Sequence, residues 1–515
     1  YARAREDAAM NSTDERTRRS QRWGCDGLPL APPGRPQARA SALAFALLVG
    51  LPACGEWDDG RPEGDTDAGT TDGGAGVSVG VNGIVGETDP SGGETSGDDS
   101  GGELDPGGTW PDGPVLYPAA RAHSPITPYV ADNLRSIATV RPQSEGVFAK
   151  VGASSSVSSH YMRCFDGDDI DFAELPDQAE LWDTVDFFGA QTLEGGESSF
   201  GRETLAAEVG WPAFKVLDGD PSRLQQEVDA IAPRYAVVHY GTNDIGWGDL
   251  HGFGDDMLTI VDTLTDQGVI PLLSTILRRG DSAAADARVP RYNAVIRAVA
   301  QARQVPLLDL FLETSPLPDH GLAGDGVHPS VYAPDGVARS CVFTPAGLAA
   351  GHPIRNLLTL QGLDRARRVV AEHAPSLDDV APQLTGEGSR DDPFLIDPAL
   401  LPFSDLRDTA SEGFSELDHY SGCGADQDES GREFLYRVEL AAPATLWAAV
   451  FDRGAVDIDV QLLDETASEA GCIARHDQEL EVALPAGVYY LALDTYVGGS
   501  GAKAGEYFVV VDILE

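Results

Sequence analysis

Apolar and polar positions follow two different rhythms along the chain. From about 114 to 382, short β-branched runs alternate with longer segments whose apolar positions recur every three to four residues. Residues 146–152 (Gly-Val-Phe-Ala-Lys-Val-Gly) predict a strand running into a loop. Residues 221–231, opened by Asp220 and Pro221, predict a helix, and 235–240 the strand that follows it. A helix over 255–265, a strand over 269–276, a helix over 289–302, a strand over 305–311 and a last helix over 364–372 continue the alternation. Strand and helix in turn imply a parallel sheet with helices on both faces, a three-layer α/β domain whose chemistry belongs in loops at the carboxyl ends of the strands.

From about 386 helical periodicity disappears. The runs 434–440, 445–451, 458–463, 488–493 and 507–513 are short, β-rich and punctuated by Gly and Pro, which predicts an all-β, antiparallel sandwich over 386–515. Its strand rhythm and the turn Ala486-Gly487-Val488-Tyr489-Tyr490 resemble the jelly-roll modules appended to secreted bacterial hydrolases, such as the pre-peptidase C-terminal domain. Asp457 and Asp459 read as a solvated sheet face, with calcium binding as the sharper alternative.

Composition changes the picture ahead of these regions. The formal net charge of -47 disfavours nucleic acid as a partner, because phosphate backbones would be repelled. It is densest in residues 55–113, a Gly, Asp, Ser, Thr and Glu segment with Arg61 its only basic residue, which predicts a disordered acidic linker. Asp65-Thr66-Asp67 begins like a calcium loop, but Gly76 stands where a closing glutamate belongs. Residues 1–54 hold an arginine-rich stretch and then an apolar run too short to span a bilayer, as in a secretory signal, with Met10 a candidate start. Its end, Leu51-Pro52-Ala53-Cys54, resembles the lipobox of bacterial lipoproteins, which implies lipidation of Cys54, export to the cell envelope and a membrane as partner; Pro52 departs from the common pattern.

Export implies an oxidising compartment. With Cys25 in the leader and Cys54 assigned to lipid, Cys164, Cys341, Cys423 and Cys472 remain, two in each folded region. Pairing Cys164 with Cys341 and Cys423 with Cys472 is the expectation, one of three pairings that four cysteines allow. No C-x-x-C occurs and the ten histidines form no ligand-spaced cluster, so neither a metal nor another cofactor is expected.

The most informative stretch is Gly324-Asp325-Gly326-Val327-His328-Pro329-Ser330, too rich in Gly and Pro to be a helix interior. An Asp that accepts from one imidazole nitrogen fixes the tautomer and leaves the other nitrogen to take a proton from a nucleophile. The first predicted strand ends in Gly152-Ala153-Ser154, where glycine permits a close turn beneath a serine hydroxyl. The 235–240 strand ends in Gly241-Thr242-Asn243-Asp244. These blocks, in this order and at strand ends, resemble the SGNH (GDSL) hydrolases, a flavodoxin-like fold carrying a Ser block, a Gly, an Asn in G-x-N-D and a closing D-x-x-H.

The resemblance implies that Ser154 attacks an ester carbonyl, His328 serves as base and then acid, and Asp325 orients the imidazolium. It also implies an oxyanion hole of the Ser154 and Gly210 amides and the Asn243 side chain, with Gly201 as the alternative glycine and Asp244 bracing the loop. Ala153 departs from the family, which has an Asp there to brace the nucleophile. His160, His239 and His251 lie near these loops and read as packed or surface residues. The α/β-hydrolase alternative is set aside because it expects G-x-S-x-G. The chain therefore reads as an exported serine esterase acting on a polysaccharide or lipid ester. An O-acyltransferase using the same site, or a non-catalytic surface binding protein with a decayed hydrolase domain, is the alternative.

Overall fold

The computed structural model describes residues 113–514 except Glu174, Glu194 and Asp426. The leader, Cys54 and the acidic linker lie outside the described residues. Four strands form a parallel sheet in chain order: β1 (Ser144–Gly152), β2 (Pro233–His239), β3 (Ile270–Ser274) and β4 (Leu307–Leu308). The main helices are α1 (Pro128–Val140), α2 (Ser154–Val157), α3 (Gln178–Gly189), α4 (Arg223–Ile231), α5 (Leu250–Thr265), α6 (Val289–Ala302) and α7 (Gly351–Val370). One layer gathers α1, α3 and α7, and α4, α5 and α6 form the other. Every residue of β2 and β3 is buried, as in a parallel sheet covered on both faces.

Local chemistry sets the boundaries. Thr127 caps α1 by accepting from the Val130 amide, with Pro128 at the first helical position. The predicted 305–311 strand is cut to Leu307–Leu308, because the Asp309 side chain accepts from the Leu312 amide and starts a short helix, Leu310–Thr314. Helix α7 begins well before residue 364. It is buried almost all round, Arg355, Asn356 and Thr359 included, so its first half shows no amphipathic stripe.

The second region is a sandwich of two sheets. Its strands are β5 (Phe394–Leu395), β6 (Phe403–Asp408), β7 (Glu433–Leu440), β8 (Ala444–Asp452), β9 (Ile458–Leu463), β10 (Cys472–His476), β11 (Glu479–Leu484), β12 (Gly487–Thr495), β13 (Val497–Gly498), β14 (Gly501–Ala502) and β15 (Glu506–Leu514). One sheet runs β10-β9-β12-β7-β5 and the other β11-β8-β15-β6; β13 and β14 form a separate hairpin.

The central strands of the second sheet, β8 and β15, are buried on both faces over most of their length. Leu446, Ala448 and Val450 fill the sandwich interior, while the alternate residues Trp447, Ala449 and Phe451 join the core of the α/β region. Phe451 stacks on Phe508 with ring centroids 4.5 Å apart. A Cβ at Gly254 of α5 would come within 2.5 Å of the Phe451 ring, so glycine is what lets helix and sheet approach. Each buried Phe here contributes about 1.5–3 kcal/mol. A polar rim surrounds the contact: Arg291 pairs with Glu479 at 3.1 Å and Glu481 at 2.6 Å, and Arg303 with Glu506 at 2.7 Å. The solvated-face reading of Asp459 is overturned, because that side chain is only 1% exposed, inside the first sheet.

Candidate active site

Strand β1 ends at Gly152, whose environment admits no side chain. A Cβ there would lie 2.3 Å from Ser156 Oγ and 2.7 Å from the His239 carbonyl. Ala153 follows in extended conformation, and Ser154 opens the single turn of α2. Its hydroxyl lies 2.8 Å from His328 Nε2, and His328 Nδ1 lies 2.7 Å from Asp325 Oδ2. Residues 174 positions apart in the chain are thus joined in one chain of hydrogen bonds.

The acid of this chain is held by its own loop. Asp325 Oδ1 accepts from the Val327 amide at 2.9 Å and the His328 amide at 3.0 Å, leaving Oδ2 for the imidazole. Gly326 makes the turn possible with φ +71°; a Cβ there would also lie 2.6 Å from the Asp281 nitrogen. Burial pushes the Asp325 carboxyl up, but the His328 and Val327 amides and the imidazole together hold it below the ordinary carboxylate value. It is therefore ionised at neutral pH, as an imidazolium partner requires.

The other predicted residues lie in the loop after β2 and in the segment before Ala213–Leu217. Asn243 donates from Nδ2 to the Trp211 carbonyl at 3.0 Å, which ties the G-x-N-D loop to the residue after Gly210. The same amide group has a second N–H. Gly210 has φ +82°, a backbone conformation that favours glycine, and open space where a Cβ would stand. Gly201 packs differently: a Cβ there would meet the Asp166 carboxylate at 2.4 Å, which gives it a packing reason of its own. Asp244 knits the loops together, accepting from the Ala213 amide at 2.7 Å and the Gly241 amide at 2.9 Å. Burial raises its carboxyl to about 6 against the pull of those amides.

The extra histidines stand apart from this chain of bonds. His239 is buried at the end of β2, with both ring nitrogens lacking a hydrogen-bond partner, and burial pushes it well below the ordinary imidazole value. His160 packs edge-on to His352, centroids 5.4 Å apart. His251 stacks on Phe451 at the sandwich contact.

Arg355 is the residue that sequence reading missed. Buried in α7, its guanidinium donates to the Ser155 carbonyl and, at 3.2 Å, to Ser156 Oγ, gripping the turn that carries Ser154. It lies 3.7 Å from the Tyr161 ring centroid, and no carboxylate among the described residues pairs with it. Burial lowers its pKa, with Tyr161 opposing. The available signal was an arginine inside the apolar run Pro353-Ile-Arg-Asn-Leu-Leu.

A disulfide closes the site from outside. Cys164 and Cys341 are bonded, Cα atoms 5.7 Å apart, tying the segment after the nucleophile turn to the segment after His328. Cys423 and Cys472 are bonded within the sandwich.

Residues 192–332 match the model of the GDSL-like Lipase/Acylhydrolase family. That span contains Gly210, Asn243, Asp325 and His328 and begins after Ser154, so the nucleophile rests on geometry. An acetylxylan esterase from Geobacillus stearothermophilus is similar at 15% identity over 43% of this chain and 94% of that one, with TM-score 0.29. A GDSL-like lipase from Bacteroides thetaiotaomicron is similar at 15% identity over 46% and 99%, with TM-score 0.26. The pre-peptidase C-terminal domain of a Bacillus anthracis collagenase is similar at 16% identity over 22% and 90%, with TM-score 0.15. No curated protein matches the chain.

Proposed function

With its hydrolase region a GDSL-like lipase/acylhydrolase domain, we propose that this serine ester hydrolase is exported and removes short acyl groups from a polysaccharide. The observation that carries the mechanism is the bonded series Ser154, His328, Asp325, at 2.8 and 2.7 Å. Ser154 Oγ adds to the ester carbonyl as its proton passes to His328 Nε2, and Asp325 stabilises the imidazolium through Nδ1–H. Charge on the former carbonyl oxygen is received by the Ser154 and Gly210 amides and the second N–H of Asn243, each donor contributing about a hundredfold or more in rate. The imidazolium returns its proton to the leaving alcohol. Water, activated by the same imidazole, then releases the acid and restores Ser154.

A polymeric sugar substrate is favoured by the exposure of Asp325 and by an exposed aromatic in the Asn243 loop. The Asp325 side chain is 42% exposed, and Trp247, four residues after Asn243, is 61% exposed and braced edge-on by Phe214. An exposed indole in the loop that carries Asn243 offers a flat stacking surface to a sugar ring.

Export is supported by the leader and by two disulfides, which persist in oxidising compartments. In this reading Cys54 carries the lipid that holds the enzyme at the cell envelope, and the acidic segment is its spacer. Membrane fractionation of wild type and Cys54→Ala tests this; equal membrane retention of the variant would contradict it. Hydrolysis of nitrophenyl acetate compared with Ser154→Ala tests the chemistry. Loss of turnover in the variant is expected, and equal rates would contradict the acyl-enzyme.

A further inference from the structure

A second concentration of chemistry lies in the sandwich. Glu433 of β7, Asp494 of β12 and Asp459 of β9 stand directly opposite one another across three neighbouring strands, and all three are buried. Like charges so placed destabilise a sheet, and burial without compensation adds to the cost. Asp494 is satisfied by the Tyr420 hydroxyl at 2.6 Å and the Thr495 amide at 2.7 Å. Asp459 is not.

Around Asp459 the acids crowd further. One carboxylate oxygen each from Asp457, Asp459 and Asp477 lies within 4.8 Å of the other two. Glu429, from the loop before β7, is bound by the same guanidinium as Asp459. Against these four acids stand two cations: Arg475 donates to Glu429 Oε1 at 3.0 Å and to Asp459 Oδ2, and Lys503 to Asp457 Oδ2 at 2.5 Å. The pairing leaves oxygens over. Asp459 Oδ1 and Glu429 Oε2 have no hydrogen-bond partner among the described residues, although their residues are 1% and 0% exposed. Buried polar atoms in folded proteins are almost always partnered, so these two mark a missing positive ligand.

We propose that Asp457, Asp459, Asp477 and Glu429 bind a divalent cation of the calcium class. The donors are all carboxylate oxygens, with no His or Cys among them, which selects a hard ion over zinc. The three clustered aspartates, with Glu429 beside them on Arg475, come from three segments of chain, three of the four buried or half-buried and Asp477 exposed as the entry side; they suit the six to eight loosely arranged oxygens that Ca2+ takes, water completing the shell. Asp477 lies between β10 of one sheet and β11 of the other. The ion therefore clamps the crossing between sheets, and the Cys423–Cys472 bond anchors the far end of β10.

The test uses the full chain stripped with EDTA and returned to Ca2+ alone. Equilibrium dialysis is expected to give one ion per chain, and the thermal midpoint to rise by roughly 5 °C at a hundredfold excess over Kd. Asp477→Asn, on the exposed side where folding is not at stake, weakens binding about tenfold or more, and Asp459→Asn abolishes it. Two outcomes overturn the proposal: no Ca2+ bound at about 1 mM free ion, or wild-type binding by Asp477→Asn. Mg2+ giving a larger midpoint shift than Ca2+ would overturn the assignment to the larger ion.

Discussion

Replacing Arg355 by methionine tests how the nucleophile turn is held. Methionine keeps most of the side-chain volume and removes the fork that reaches Ser155 and Ser156. Two hydrogen bonds from a charged donor contribute about 1.5–3 kcal/mol each, and a desolvated cation over an aromatic ring about 2 kcal/mol more. Against that stands the cost of burying an arginine with no carboxylate beside it, several kcal/mol. The net loss of stability is therefore modest, about 2–3 kcal/mol. The effect on turnover is larger, because Ser154 adjoins the gripped residues and a slip of about 1 Å costs about a hundredfold in rate. The assay is kcat and KM on nitrophenyl acetate beside a urea unfolding curve. A fall in kcat of about a hundredfold with KM little changed is expected. Arg355→Lys, which restores charge without the fork, is expected to recover little of it. A variant less stable than wild type but with wild-type kcat would refute the positioning role and leave Arg355 a packing residue.

Other consequences follow from the same geometry. Asp244 has a folded-state pKa near 6, above that of an unfolded aspartate, so the native state binds the extra proton and stability from this group falls by on the order of 3 kcal/mol as pH rises from about 4 to about 6. Urea unfolding of Asp244→Asn across that range is expected to lack this slope; an unchanged slope contradicts the assignment. Removing the Cys164–Cys341 bond as the double alanine variant is expected to cost about 2–5 kcal/mol, read by thermal unfolding, with turnover falling as the two site segments part. Trp247→Ala is expected to raise KM for an acetylated polysaccharide about tenfold and leave nitrophenyl acetate hydrolysis unchanged, since the exposed indole would stack on a sugar ring and not on a small ester. An equal effect on both substrates would contradict that role.

The sequence was most legible where one physical rule acted alone. Helix α6 and strand β9 carry clear patterns and occupy the predicted residues. The first half of α7 was hidden because Arg355, Asn356 and Thr359 face the interior, where polarity reads as exposure. In β8 the unbroken apolar run from Leu446 to Phe451 signals two buried faces, a hint that the sandwich packs on a neighbour; which neighbour needs tertiary contacts. The row Glu433, Asp494, Asp459 was invisible for a related reason, since opposition across strands depends on register. The serine, asparagine and aspartate–histidine motifs stood out because each needs fixed neighbours in the chain. The bracing of the serine from α7, some 200 residues downstream, had no such local mark.

The central claim is that Ser154 Oγ is the atom that acquires the acyl group. Treating the protein with a fluorophosphonate ester, digesting it and locating the adduct by mass spectrometry tests this without reference to substrate. The account predicts one phosphonylated residue, Ser154, with labelling slowed by orders of magnitude in His328→Asn. An adduct on Ser155, Ser156 or a residue outside the turn, or labelling at the wild-type rate without the imidazole, would contradict it.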